Sequence, residues 1–274
     1  MLEERSRFLA GLPQDTNEYR YLGQEHAEMI VKREYTRFVE EHKSPYVIFT
    51  HVPPSEIDMI DNRSLGKLDY HHSLRILLAN MPCLPHEEAL SLFGNLVLLK
   101  ANKMQVDRLI RYRAATTTKT RERDKEGDIS WAPRWLPPGR SKQWPTVALE
   151  VGYSESREKI KHDIAWWLYS SNGDVLMAVS IDIKRTSGNI YITLWERGVM
   201  PTRNHPNPDP KVVGEVKLFR GKNGRPARVE GADLVVPFKY ILLRSPDRSQ
   251  GEGDFTFTKA ELLQLAETIW EDMD

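Results

Sequence analysis

Cysteine is almost missing from this 274-residue sequence: Cys83 stands alone, which excludes an intrachain disulfide and fits a reducing compartment. An excess of either charge is missing too, since 39 basic side chains balance 39 acidic ones. Affinity for a polyanion must then come from local clusters, not from the molecule as a whole. No apolar run reaches the length of a bilayer span, and the opening MLEERSRFLAGL has no signal-peptide core. The expectation is a soluble intracellular protein without a membrane partner, with nucleus and cytoplasm both open. Glycine-rich phosphate loops and dinucleotide fingerprints are absent, and scattered histidines with one cysteine cannot build a zinc cluster.

What is present organises itself around residues 144–169, WPTVALEVGYSESREKIKHDIAWWLY. Alternation predicts a strand over 146–152, with Val147, Leu149 and Val151 facing one way and Ala148, Glu150 and Gly152 the other. A carboxylate within such a strand is costly unless something charged compensates it, so Glu150 draws attention first. A turn and an amphipathic helix follow, with Ile160, Ile164, Trp167 and Leu168 on one face. Lys161 lies beside that face and Lys159 on the opposite flank, which favours Lys161 for reaching back to the strand.

The remaining pattern is that of an α/β chain. A helix is expected over 24–42 and a short strand in SPYVIFT, together too little for a core of their own. Residues 1–65 therefore read as an N-terminal helical extension packed on a main domain of 66–274. Pro85 opens a helix carrying Leu92, Phe93, Leu96 and Val97 at helical spacing, with Glu87 and Glu88 near its positive end. Strands are expected over 109–115, 175–183, 189–196, 212–219 and 234–243, with a terminal helix over 258–273.

Residues 103–125 form a locally basic tract, for which a solvated hairpin is the plainest use. Arg111 and Arg113 point the same way on their strand, and Arg121 follows in the charged segment. Trp131, Trp135 and Trp144 then flank the loop APRWLPPGRSKQWP, beside Arg134, Arg140 and Lys142. Such aromatic and cationic groups can stack on bases and neutralise phosphates, or they can simply anchor a long loop.

Asp128 at a strand edge, Glu150 on a strand and a nearby lysine are the residue types needed for metal-dependent phosphodiester hydrolysis. Two carboxylates hold Mg²⁺, or Mn²⁺ in its place, through hard oxygens, and an ammonium group orients water or stabilises the charged transition state. From residue 74 to 196, the segments MPCLPHEEALSLF, EGDISWAP, PTVALEVGYSES and KHDIAWWL resemble a group of uncharacterised fungal proteins. That group is related to bacterial restriction-endonuclease families of the PD-(D/E)XK nuclease-like superfamily. The resemblance implies a restriction-endonuclease-like fold, a central mixed β-sheet flanked by helices, and a nuclease or hydrolase activity on nucleic acid, with DNA as the expected partner. It matches Asp128 to the first acid and Glu150 to the second, and implies a helical glutamate ligand, Glu87 or Glu88. Gly152 stands where the superfamily motif has lysine, so Lys161, or Lys159, is expected to take that role from the next helix. Two alternatives stay open: a catalytically inactive nucleic-acid-binding relative, and a protein-interaction module with a vestigial site.

Overall fold

The computed structural model describes residues 2–114, 116–153, 156–203, 208–222 and 224–273. The chain opens with α1 (Leu2–Phe8), β1 (Asn17–Arg20), α2 (Gln24–Glu40), β2 (Tyr46–Thr50), α3 (Asn62–Leu65), β3 (Lys67–His71) and β4 (Ile76–Asn80). Next come α4 (Leu84–Lys103), β5 (Ile110–Ala114), β6 (Thr117–Lys119), β7 (Arg123–Glu126), β8 (Ile129–Pro133), β9 (Val147–Tyr153) and α5 (Arg157–Ser170). The last part holds β10 (Met177–Ile183), β11 (Ile190–Glu196), β12 (Lys211–Phe219), β13 (Arg228–Gly231), β14 (Leu234–Val236), α6 (Phe238–Leu242), β15 (Phe255–Phe257) and α7 (Lys259–Glu271).

These elements form two compact units. The first combines Met1–Cys83, Ala115–Gly127 and Ser154–Lys159. Its sheet runs β1-β2-β4-β3-β7-β6, with β1 parallel to β2 and the other neighbours antiparallel. The sequence predicts an extension of 65 residues with little core of its own. The structure instead gives the first 83 residues a full sheet, because the charged segment after Ala114 returns as the β6–β7 hairpin and pairs with β3. The hairpin is therefore an integral edge: Asp124, Lys125 and Glu126 are buried, and Arg123 forms a two-pronged ion pair with Asp69. Tyr46, Ile48, Ile76 and Leu78 form an apolar cluster against Phe8, Leu9 and Leu12. Gly11 adopts φ +77°, and a Cβ there would lie 2.4 Å from the Lys159 backbone nitrogen. Ser156 Oγ donates to the Gly11 carbonyl at 2.6 Å, so a side chain at residue 11 is excluded by this docking.

The second unit comprises Leu84–Ala114, Asp128–Tyr153 and Ile160–Asp274. It is the expected α/β architecture, a central mixed sheet with flanking helices. Strand order is β13-β12-β11-β10-β9-β8-β5, with β9 and β10 parallel and the other neighbours antiparallel. A parallel pair needs a crossover, and the α5 segment supplies it. Val147, Leu149 and Val151 face the large core shared with α4 and α7, while Ala148 and Ala178 face Ile160, Ile164, Trp167 and Leu168 of α5. The alternation read from the sequence thus sorts the two faces correctly. Thr258 and Glu261 close a reciprocal capping box on α7.

One expected strand is split. Residues 234–236 pair with β15, but Pro237 presets the backbone for a helix, and Phe238, Ile241 and Leu242 then bury at helical spacing. Ala115, the end of the expected strand over 109–115, lies outside the described residues.

Candidate active site

Glu150 sits in the middle of β9 with 7% exposure, and the ladder fixes its neighbours. It stands directly opposite Ser180 on β10, which stands opposite Thr193 on β11, which stands opposite Glu215 on β12. Opposed residues share a face, so a polar row crosses the sheet on the side packed by α5. Thr193 donates to Glu215 at 3.2 Å, Trp195 donates to Ser180 at 2.8 Å, and the Trp167 indole donates to Glu150 Oε1 at 2.5 Å. The α5 tryptophan thus supplies a fixed donor to a carboxylate set among apolar groups.

Asp128, 4% exposed, immediately precedes β8. Ile129 pairs with Leu149, so Asp128 lies one residue beyond the β8–β9 ladder, at the level where β9 carries Glu150 and Val151. Its Oδ2 accepts the Val151 backbone amide at 2.6 Å and lies 3.4 Å from Nε2 of His86 in the first turn of α4. His86 Nδ1 lies 2.9 Å from Glu87 Oε1. Of the two helical glutamates, Glu87 is therefore linked through His86 to Asp128, while Glu88 is half-buried in the same turn.

The lysines do not follow the ranking that helical faces predict. Lys161 Nζ forms an ion pair with Asp209 at 2.9 Å. Lys159 is 3% exposed, grouped with the first unit, and its ammonium lies 5.5 Å from the Tyr46 ring centroid. The docking of Gly11 and Tyr46 on the first turn of α5 buries the flank that periodicity assigns to solvent.

A pair at the end of β10 escapes the sequence reading. Asp182, 4% exposed, stands opposite the bare Gly152 on β9, and Lys184 Nζ lies 2.8 Å from its Oδ2. Asp182-Ile183-Lys184 is an acid-x-lysine sequence with period-2 spacing; its signal is hidden because the segment reads first as an apolar strand running into a turn. Among the described residues, no group of three or more His, Cys, Asp or Glu side chains is arranged to hold a metal ion.

The expected nucleic-acid contacts divide. Arg113 stands opposite Ser130 and Arg111 opposite Ala132, so both share one face of β5. Arg113 donates to the carbonyls of Gln143 and Lys142, and burial, followed by the adjacent Arg111 charge, pulls its guanidinium below the ordinary value. Arg111, Arg121 and Lys142 are exposed. Trp135 is 68% exposed, with the Arg134 guanidinium 5.9 Å from its ring centroid. Trp131, by contrast, is 2% exposed and packs against Phe93 and Tyr112, so it offers no ring face to a base and serves the core. Arg140 binds the Asp174 carboxylate at 2.9 Å and also its carbonyl; burial pulls its guanidinium down and Asp174 pushes it back up. It anchors the loop instead of presenting a free cation.

A mixed-sheet α/β unit with one buried carboxylate on β9 and another on the residue before β8 is the class of structure defined by these observations. The chain is similar to a solved bacterial structure, a candidate nuclease belonging to DUF820 from Anabaena variabilis ATCC 29413. Identity is 13%, the TM-score is 0.40, and the match covers 73% of this chain and 90% of the other. No family model matches the sequence, and no curated protein matches it. No helix among the described residues is long and apolar enough to cross a membrane.

Proposed function

We propose that this chain is a metal-dependent nuclease of the PD-(D/E)XK type that hydrolyses phosphodiester bonds, with DNA as its substrate. The observation that carries the reading is a buried carboxylate on β9, Glu150, with the buried Asp128 carboxylate bonded to the amide of the next residue, Val151, and the Asp182–Lys184 pair opposite Gly152. Mg²⁺ commonly takes one or two protein carboxylates and leaves its other positions to water and substrate phosphate, so a two-carboxylate donor set fits it. Bound there, the cation would supply Lewis-acid charge stabilisation and a more acidic water. The Val151 amide and His86 orient Asp128 through Oδ2, and the Trp167 indole orients Glu150 through Oε1. Lys184, held by Asp182, is assigned the lysine role that Gly152 cannot fill; Lys161 is engaged by Asp209.

The test is cleavage of duplex DNA with Mg²⁺ or Mn²⁺ against an EDTA control. Asp128→Asn and Glu150→Gln should abolish metal-dependent cleavage, and Lys184→Ala should reduce it by roughly 100-fold, typical for loss of one group stabilising developing charge. Lys161→Ala should leave it unchanged. Cleavage that survives Glu150→Gln would overturn the assignment. Glycine in place of lysine at position 152 favours, as second reading, an inactive relative that binds nucleic acid; binding without metal-dependent cleavage would select it.

A further inference from the structure

A second feature of the larger unit lies away from the carboxylates in sequence and is made of cations. The turn between β10 and β11 and the hairpin turn between β12 and β13 line an open groove of about 820 Å³. Arg220, Lys222, Arg225 and Arg228 line it together with Ser187 and Asn189, and none of the lining side chains among the described residues is acidic. In a chain with no net charge, four cations on one groove are a local concentration of the kind that bulk composition conceals.

The cations differ in how they are held. Arg220 donates to the Trp270 carbonyl at 3.0 Å, fixing its guanidinium at the groove wall. Arg228 lies 4.4 Å from the Phe219 ring centroid and pairs with Glu230 at 3.1 Å, so two contacts hold its guanidinium. Lys222 and Arg225 are exposed, with no acidic partner among the described residues. Two positioned guanidinium groups, two exposed cations and the small polar side chains Ser187 and Asn189 suit repeated phosphates joined by sugars. An apolar or cationic ligand would leave the Lys222 and Arg225 charges uncompensated.

We propose that this groove at the β12–β13 turn binds the phosphodiester backbone of nucleic acid, as an anchoring surface separate from the carboxylates in its residues. The inference rests on the proposed nuclease reading for the identity of the polymer, and its test is run without metal so that binding is read apart from cleavage. A fluorescein-labelled DNA duplex is titrated with the full chain in EDTA, following anisotropy over a series of chloride concentrations. Lys222→Gln/Arg225→Gln should weaken binding about 10-fold and make the slope of log K against log salt shallower by about 2, one unit for each cation withdrawn from a phosphate. Both positions are exposed, and an unchanged circular-dichroism melt verifies that the variant is folded. Affinity and slope equal to those of the parent chain would overturn the groove. Inorganic phosphate that displaces the duplex far better than chloride at equal ionic strength would overturn the polymer assignment in favour of a small-anion site. Glu150→Gln, with cleavage abolished and this binding retained, separates failure of the catalytic reading from failure of the groove.

Discussion

Trp167→Phe isolates the hydrogen bond that helps make a buried carboxylate tolerable in β9. The indole Nε1 donates to Glu150 Oε1 at 2.5 Å, and both groups are buried. A hydrogen bond to a charged group contributes about 1.5–3 kcal/mol, and removing the donor takes that compensation from the carboxylate. Trp167 also packs edge-on against Trp166 and Trp144, at 4.8 and 5.9 Å between centroids. Phenylalanine retains part of this packing, so the aromatic neighbours add a further cost of about 0.5–1 kcal/mol. The expected total is about 2–4 kcal/mol, read by urea unfolding with far-ultraviolet circular dichroism, because tryptophan fluorescence itself changes in the variant. Glu150→Gln keeps an acceptor oxygen for the indole and removes only the charge, so its stability should fall by about 1 kcal/mol or less while cleavage disappears. The double variant should cost less than the sum of the two by about 1 kcal/mol, since one hydrogen bond cannot be removed twice. A Trp167→Phe cost below about 0.5 kcal/mol, or strictly additive single changes, would refute the claim that this bond holds Glu150 in place.

Three further outcomes concern the smaller unit. Burial depresses the His71 imidazole below its ordinary 6.5, with Glu4 pushing it up and Arg123 pulling it further down. The neutral ring is the folded form, so its contribution to stability is held above pH 6.5 and lost as the pH falls through the lowered folded value. His71→Gln should flatten that part of the melting-temperature profile, and an unchanged profile would count against it. Tyr21, pushed up to about 12 by burial and then by the Glu56 hydrogen bond, has the opposite sign. Its contribution is full below pH 10 and lost towards pH 12, so Tyr21→Phe should remove a late-titrating phenolate from the ultraviolet spectrum, and an unaltered titration would refute the shift. Gly11→Ala should destabilise by at least about 1 kcal/mol from the left-handed backbone alone, with more from the clash at Lys159; a neutral melt would show that the docking seen there is not maintained.

The sequence by itself determined the larger elements, because burial imposes a period. Val147, Leu149 and Val151 against Ala148 and Glu150 is a two-residue alternation, and it survives intact as the two faces of β9. Residues with a single structural demand were equally legible, such as Pro85 in the first turn of α4 and the start of α7 at Thr258. Tertiary structure alone decided everything that depends on distant segments. It returned the charged β6–β7 segment to the edge of β3, which turned an expected extension into a compact unit. It buried Lys159 and paired Lys161 with Asp209, because helix docking follows the partners present and not the apolar residues alone. It also set Asp182 opposite Gly152, with Lys184 on its carboxylate, since a parallel crossover fixes register between strands that sequence spacing cannot relate.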